Sequence, residues 1–246
     1  MADAPPSQER SFVRRLAMAT QPVLTRIAHG SAPFITTFAL IHLTAPILAN
    51  FGGTSLASQA MLLGREYYQT SFGEKYLVLA PLVIHPVSAI LKRVLAPKAA
   101  RRVTSILSVT GYSAALLVAV HFFVHRVAPS DPSPPIYSVG PSELDYEYVK
   151  YSLQEYPWRS FVAYLSLTAA VAWHAAEGMG IIWNTWLRPT FGAGLTRKQR
   201  TIGAFAGGVL PVATGLFFMW QEPLMVFSSH AARFNAALRQ FVFFGF

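Results

Sequence analysis

Five stretches of the chain are apolar on every side rather than along one face: Ala32 to Asn50, Tyr76 to Leu95, Thr104 to His125, Ser160 to Trp186 and Ile202 to Trp220. Each is roughly 20 to 25 residues long, which at 1.5 Å per residue is the length that crosses a hydrocarbon layer of about 30 Å. A helix buried in a soluble core is shorter and keeps a polar stripe. Glu177 is the only acid inside any of the runs. The pattern therefore predicts an all-α membrane protein with five transmembrane helices. After the last run, Leu224, Phe227, Ala231, Phe234, Leu238 and Phe241 recur at helical spacing against Arg233, Arg239 and Gln240. That periodicity predicts an amphipathic C-terminal helix lying at the membrane interface over residues 224–246.

Composition agrees with the pattern. Of 246 residues, 53% are AVILMFWYC and only 13% are charged, whereas roughly a quarter of a soluble domain is charged. The net charge of +9 is informative through its placement. The N-terminal arm carries Arg10, Arg14, Arg15 and Arg26; the second connection carries Lys92, Arg93, Lys98, Arg101 and Arg102; the fourth carries Arg188, Arg197, Lys198 and Arg200. These hold thirteen of the twenty Lys and Arg and fall on one side of a five-span topology, while the third connection carries Asp131, Glu143, Asp145, Glu147 and Glu155. The alternation is the positive-inside pattern, placing the N-terminus inside and the C-terminus outside. The excess charge thus reads as orientation and contact with anionic membrane lipids, and no nucleic acid is implied. Ser11 to Ala28 is also Arg-bearing and weakly amphipathic, like a mitochondrial presequence, although Asp3, Glu9 and Pro22 run against that reading. No secretory signal peptide precedes the first span.

Histidine is the residue type that carries candidate chemistry, because the chain has no cysteine to supply a disulfide, a thiolate metal site or a sulfur nucleophile. Four of the seven histidines lie well inside spans, one on each of the first four: His42, His85, His121 and His174. Laying span one on span three at an offset of 79 brings His42 onto His121, and laying span two on span four at an offset of 89 brings His85 onto His174. The connections agree: Gly64-Arg65-Glu66-Tyr67-Tyr68 precedes span two and Leu144-Asp145-Tyr146-Glu147-Tyr148 precedes span four. The organisation that follows is a basic arm (1–31), a first two-helix repeat (32–95), and a second, parallel two-helix repeat (96–186) enclosing an acidic, Tyr-rich loop (126–159). A fifth transmembrane helix (187–223) and the amphipathic tail complete it.

Ionisable side chains are costly in lipid and face the bundle interior, so four in repeat register call for an account. One account is structural: each imidazole donates to a carbonyl or hydroxyl on a neighbouring helix, with Thr44, Ser88 and Ser166 as partners. The other is ligation, since neutral imidazoles on facing helices serve as axial ligands to haem iron. For haem b the expected ligands are His85 and His174, with His42 and His121 as further candidates. Small residues one turn on, Ala89 and Gly178, give a flat macrocycle clearance. His42, His85 and His174 each come out roughly 15 to 20 Å into their spans, which favours one bound haem over two. His121 falls nearer the outer end, and His29, His125 and His230 read as interfacial.

Glu177, three residues after His174, shares its helix face and is a candidate second-shell acceptor for the imidazole or a proton carrier near a quinone-like ligand. Gly203, Gly207, Pro211 and Gly215 form a small-residue stripe that reads as a helix-packing face. No nucleophile–base pair, phosphate loop or paired intramembrane carboxylates stands out, so an enzyme is not expected, apart from a redox role through bound haem.

Two resemblances attach to these residues. Ala172-Trp173-His174-Ala175-Ala176-Glu177-Gly178 with Ile181-Ile182-Trp183 resembles the His-x-x-x-Gly segment of the cytochrome b membrane subunits of succinate dehydrogenase and fumarate reductase, which implies haem ligation by His174 and, through the repeat, His85. Gly64-Arg65-Glu66-Tyr67-Tyr68, Val83-Ile84-His85-Pro86-Val87-Ser88 with Lys92-Arg93, and the duplicated two-helix unit resemble, over nearly the whole chain, the fungal mitochondrial adaptor family that complements loss of the ERMES tether. That resemblance implies a multi-pass protein of the mitochondrial outer membrane, with a cytosolic N-terminus, that recruits a bridge-like lipid-transfer protein and supports lipid homeostasis at a membrane contact site. The inner membrane is the alternative location. Adaptors for that transporter dock through Pro-x-Pro, and the match in this chain is Pro132-Ser133-Pro134.

Overall fold

The computed structural model describes residues 6–96 and 101–245. Asp3, Lys98 and the side chains of Glu9, Arg10 and Arg14 lie outside the described residues. The protein is 84% helical, with no strand among the described residues. In chain order the helices are α1 (Pro6–Tyr68), α2 (Gly73–Leu95), α3 (Ile106–Ser130), α4 (Tyr146–Glu155), α5 (Pro157–Phe191), α6 (Arg197–Gln221), α7 (Ser228–Arg239) and α8 (Val242–Gly245). Five of them, α1, α2, α3, α5 and α6, are long and apolar enough to cross a membrane. Their packing is the reverse of a soluble core. Ile106–Phe122 of α3 has no buried residue at all, and a helix that is apolar all round yet unburied by protein is stable only against lipid.

Local sequence sets the helix ends. Ser105 caps α3 by accepting from the Ser108 amide, and Thr196 with Gln199 forms a reciprocal capping box at the start of α6. Pro157 opens α5 in the first turn, where its missing N–H costs nothing. A wide π turn interrupts four of the five spans, at Gly73–Leu79, Phe123–Val127, Trp183–Leu187 and Phe205–Val209.

The largest departure from the sequence reading is in α1. The stretch after the first span, read as a connection, is helical. Gly52 and Gly53 break the helix with non-helical dihedrals, Gly53 at φ 59°, and the segment that follows folds back along the one before it. The Tyr68 ring lies 5.3 Å from that of Phe38 and 5.9 Å from that of His42. Thirty residues of straight helix would have put Phe38 and Tyr68 about 45 Å apart.

Within each repeat the two helices pack together, α1 on α2 and α3 on α5, and α6 packs against α1 and α5. The basic segments gather at one end. Gln21 Nε2 donates to the Lys92 carbonyl at 2.8 Å, Arg93 donates to Ser108 Oγ at 3.1 Å and Trp186 Nε1 donates to His29 Nδ1 at 2.8 Å. The other end is a folded cap of the 126–159 loop and the tail. Phe234, Ala237, Leu238 and Phe244 of the tail are buried against Val124, Ala128, Ile136, Val139 and Tyr148. The tail helix thus forms where its periodicity places it, but protein covers half of its apolar face: Phe234 and Leu238 are buried and Phe227 is exposed.

The small-residue stripe of α6 is used only in part. A Cβ on Gly215 would sit 1.9 Å from the Pro46 carbonyl oxygen, so the backbones of α6 and α1 touch there, whereas a Cβ on Gly203 or Gly207 meets nothing within 4 Å.

Candidate functional site: two histidine pairs on the repeat axis

The repeat brings equivalent histidines face to face. His85 on α2 and His174 on α5 have ring centroids 6.0 Å apart at 90°, and His42 on α1 and His121 on α3 lie 5.8 Å apart at 78°. Contact between equivalent positions is what a two-fold relation between parallel repeats requires, since only residues near its axis meet their own counterparts.

The partners of the first pair obey the same relation. His85 Nδ1 donates to the Ala28 carbonyl at 2.9 Å and His174 Nδ1 donates to the Leu107 carbonyl at 3.1 Å. Ala28 and Leu107 are 79 residues apart, the offset that relates His42 to His121. A carbonyl only accepts, so Nδ1 carries the hydrogen in both rings and Nε2 keeps its lone pair. Two imidazoles anchored through Nδ1, each with a free Nε2, would be suited to hold a haem iron. Ser31 Oγ, 3.1 Å from His85 Nδ1, donates to the same Ala28 carbonyl at 2.9 Å. On the other side Gly111 supports His174: a Cβ there would stand 2.8 Å from the ring's Cε1.

The second pair sits in an aromatic nest. Phe38 stacks on His42 at 5.3 Å, His125 lies 4.4 Å from His121, and Tyr164 approaches both His121 and His125. His42 Nδ1 is buried and has no hydrogen-bond partner. Along α1, His42 stands roughly 18 Å above the turn from Ala28 to Ser31. The four intramembrane histidines therefore form two pairs at two depths, instead of three around one midplane. His125, expected at the interface, belongs to this cluster, its ring 4.4 Å from that of His121, and it lies within the π turn at Phe123–Val127. No group of three His, Asp or Glu placed to hold a bare metal ion occurs among the described residues.

Glu177 is not the acceptor for His174. Its Oε1 accepts from Arg197 Nε at 2.6 Å, across the turn between α5 and α6, and the acceptor for His174 is the Leu107 carbonyl instead. A Cβ on Gly178 meets nothing within 4 Å and Ala89 is exposed, so the clearance they leave opens on the outside of the bundle. Gly111 is the small residue that matters to the imidazole, and the sequence did mark it: it falls 79 positions after Ala32, small in both repeats.

At the cap, His230 Nε2 and Arg233 Nη1 approach Glu143 Oε1 at 3.3 and 3.0 Å. Hydrogen bonds from Arg233 and the Gly140 amide hold the Glu143 carboxyl below its ordinary range. Burial pushes the Asp145 carboxyl up and the Tyr151 phenol up to about 12. Lys150 is 1% exposed, its Nζ 2.6 Å from Glu147 Oε1 and 3.9 Å from Glu222 Oε2.

The fold and this interior define a class: multi-pass α-helical membrane proteins built from a tandem two-helix repeat with histidines on the repeat axis. Within that class the chain is similar to the transmembrane domain of MDM10-complementing protein 1, a family whose model matches residues 116–221. The match runs from the middle of α3 to the end of α6 and includes His121, His125 and His174. It does not fall on the cytochrome b subunits. No curated protein and no solved structure matches the chain.

Proposed function

We propose that the protein is a multi-pass mitochondrial membrane adaptor that supports lipid homeostasis by recruiting a bridge-like lipid-transfer protein, with the basic end cytosolic. The family match over residues 116–221 carries this reading. The structure supports it by separating the two ends. One end presents exposed Arg15, Arg26, Arg101, Arg102, Arg188 and Lys198, suited to anionic headgroups and an acidic partner; the other is closed by its own loop and tail. Pro132, Ser133 and Pro134 are exposed on the closed end, so a cytosolic basic end leaves docking to the arm and the basic turns. Deleting residues 1–28 tests the reading. Loss of partner recruitment with unchanged membrane insertion is expected, and unchanged recruitment with unchanged mitochondrial lipid content would refute it.

A second reading, haem b held between His85 and His174, is favoured by one observation: both Nδ1 atoms are tied to equivalent carbonyls, leaving both Nε2 atoms free. A bound haem would supply one-electron transfer. In that reading Ala28 and Leu107 fix the imidazole tautomer, Gly111 admits the His174 ring, and the apolar surround excludes water. The two readings are compatible.

A further inference from the structure

Where α1 folds back, a cavity of about 430 Å³ opens between the first turns of the returning helix, the start of α4 and the end of α6. Three carboxylates line it, Asp145, Glu147 and Glu222, against one ammonium, Lys150. Each is held in place by backbone. Asp145 caps α4 by accepting from the Glu147 amide at 2.8 Å, Glu147 Oε2 accepts from Met225 N at 2.9 Å, and Glu222 accepts from Thr54 N at 3.0 and 3.2 Å. Lys150 offsets one of the three and Arg65, just outside the lining, faces Asp145, so about one negative charge of the lining is left uncompensated. Thr54, 4% exposed, lines the same cavity with its hydroxyl buried and without a partner.

The geometry points to a binding site for the primary ammonium of an ethanolamine-type phospholipid headgroup. A surplus of buried acceptors and negative charge needs a cation that donates hydrogen bonds. The volume fits an organic group rather than a bare ion, and no set of three metal-ligating side chains is present among the described residues. A quaternary ammonium is recognised by aromatic faces, and no aromatic residue lines the cavity. A primary ammonium donates three hydrogen bonds, which the free carboxylate lone pairs and the Thr54 hydroxyl accept. Ser55 and Gln59, exposed at the mouth, are donors for the phosphate. The lipid source follows from the rim: Leu62 is 42% exposed and Met225 75%, so acyl chains leave the headgroup directly onto apolar surface. The site does not depend on the docking proposed above.

The test is lipid selectivity of the full chain, read by counting lipids that stay bound in native mass spectrometry. The protein is reconstituted in vesicles of equal phosphatidylethanolamine and phosphatidylcholine and extracted in mild detergent. Retention of the ethanolamine lipid about tenfold over the choline lipid is expected, the worth of one charge-assisted hydrogen bond. Ser55→Trp, which fills the mouth without touching a charge, abolishes the preference while circular dichroism stays helical. Gln59→Trp serves as a second plug should the first variant lose its helix. Equal retention of the two lipids, or a preference that survives a folded plug variant, overturns the proposal. So does displacement of the lipid by millimolar free phosphoethanolamine, because the site would then draw its ligand from water. Recruitment of a lipid-transfer partner is unaffected by the plug, which keeps this result separate from that of the 1–28 deletion.

Discussion

His85 and His174 stand ring to ring at 6.0 Å, and each donates its Nδ1 hydrogen to a carbonyl on the partner helix of its own repeat, Ala28 and Leu107, at equivalent positions. Two contacts of the same kind, 79 residues apart on the accepting helices and 89 on the donating ones, make the duplication a physical relation and not only a pattern of letters.

If that pair ligates haem b, protein purified after expression with ample haem has a Soret band that His85→Ala or His174→Ala removes. His42→Ala leaves the band in place. A band absent from the wild-type spectrum ends the haem reading and leaves the two histidines as interhelical hydrogen bonders.

Gly215 and Gly207 lie on one stripe but in different surroundings. Gly215→Ala forces a methyl against the Pro46 carbonyl and is expected to cost about 1–3 kcal/mol. Gly207→Ala, with nothing within 4 Å, stays within about 0.5 kcal/mol of wild type. Thermal unfolding in detergent measures both.

Lys150 is buried between two carboxylates. Lys150→Ala strands Glu147 and is expected to destabilise the protein by about 3–5 kcal/mol. The Lys150→Met, Glu147→Gln pair removes both charges and recovers much of the loss, so its melting temperature lies above that of Lys150→Ala.

Tail docking follows the Glu143 carboxyl. Its folded pKa lies below the ordinary 4.5, because Arg233 hydrogen-bonds the charged form. A depressed carboxyl contributes stability above the unfolded pKa and loses it as pH falls through the folded one. The hydrogen-exchange protection factor over residues 228–239, taken relative to the intrinsic rate at each pH, is therefore high and level above pH 4.5 and falls below it, and Arg233→Ala flattens the profile.

The absence of cysteine gives a clean background for orientation. Lys198→Cys, at the basic end, reacts with an impermeant maleimide in intact mitochondria, whereas Ser133→Cys, in the cap, reacts only after permeabilisation. The opposite result inverts the topology and returns Pro132-Ser133-Pro134 to the cytosol as the docking segment.

The spans and the histidine pairs were legible because they rest on long-range regularities. Twenty apolar residues have few alternatives to a membrane helix, and a repeat offset carries a contact with it. Other features were hidden because they depend on a single local event. Gly52-Gly53 follows the first apolar run without any mark of its own, yet the positive φ at Gly53 reverses the chain and converts an expected connection into a helix beside His42. Glu177 shares a face with His174, but the tight turn before α6 brings Arg197 closer than any imidazole. His125 lies in the π turn at Phe123–Val127, which apolar spacing does not mark.

The central claim is recruitment, and its most direct measurement is the amount of bridge-like lipid-transfer protein on purified mitochondria with this chain absent, at native level and overproduced. The account predicts that the amount rises with the level of the chain and falls to background when residues 1–28 are removed from a correctly inserted protein. An amount that stays constant across all of these would contradict it.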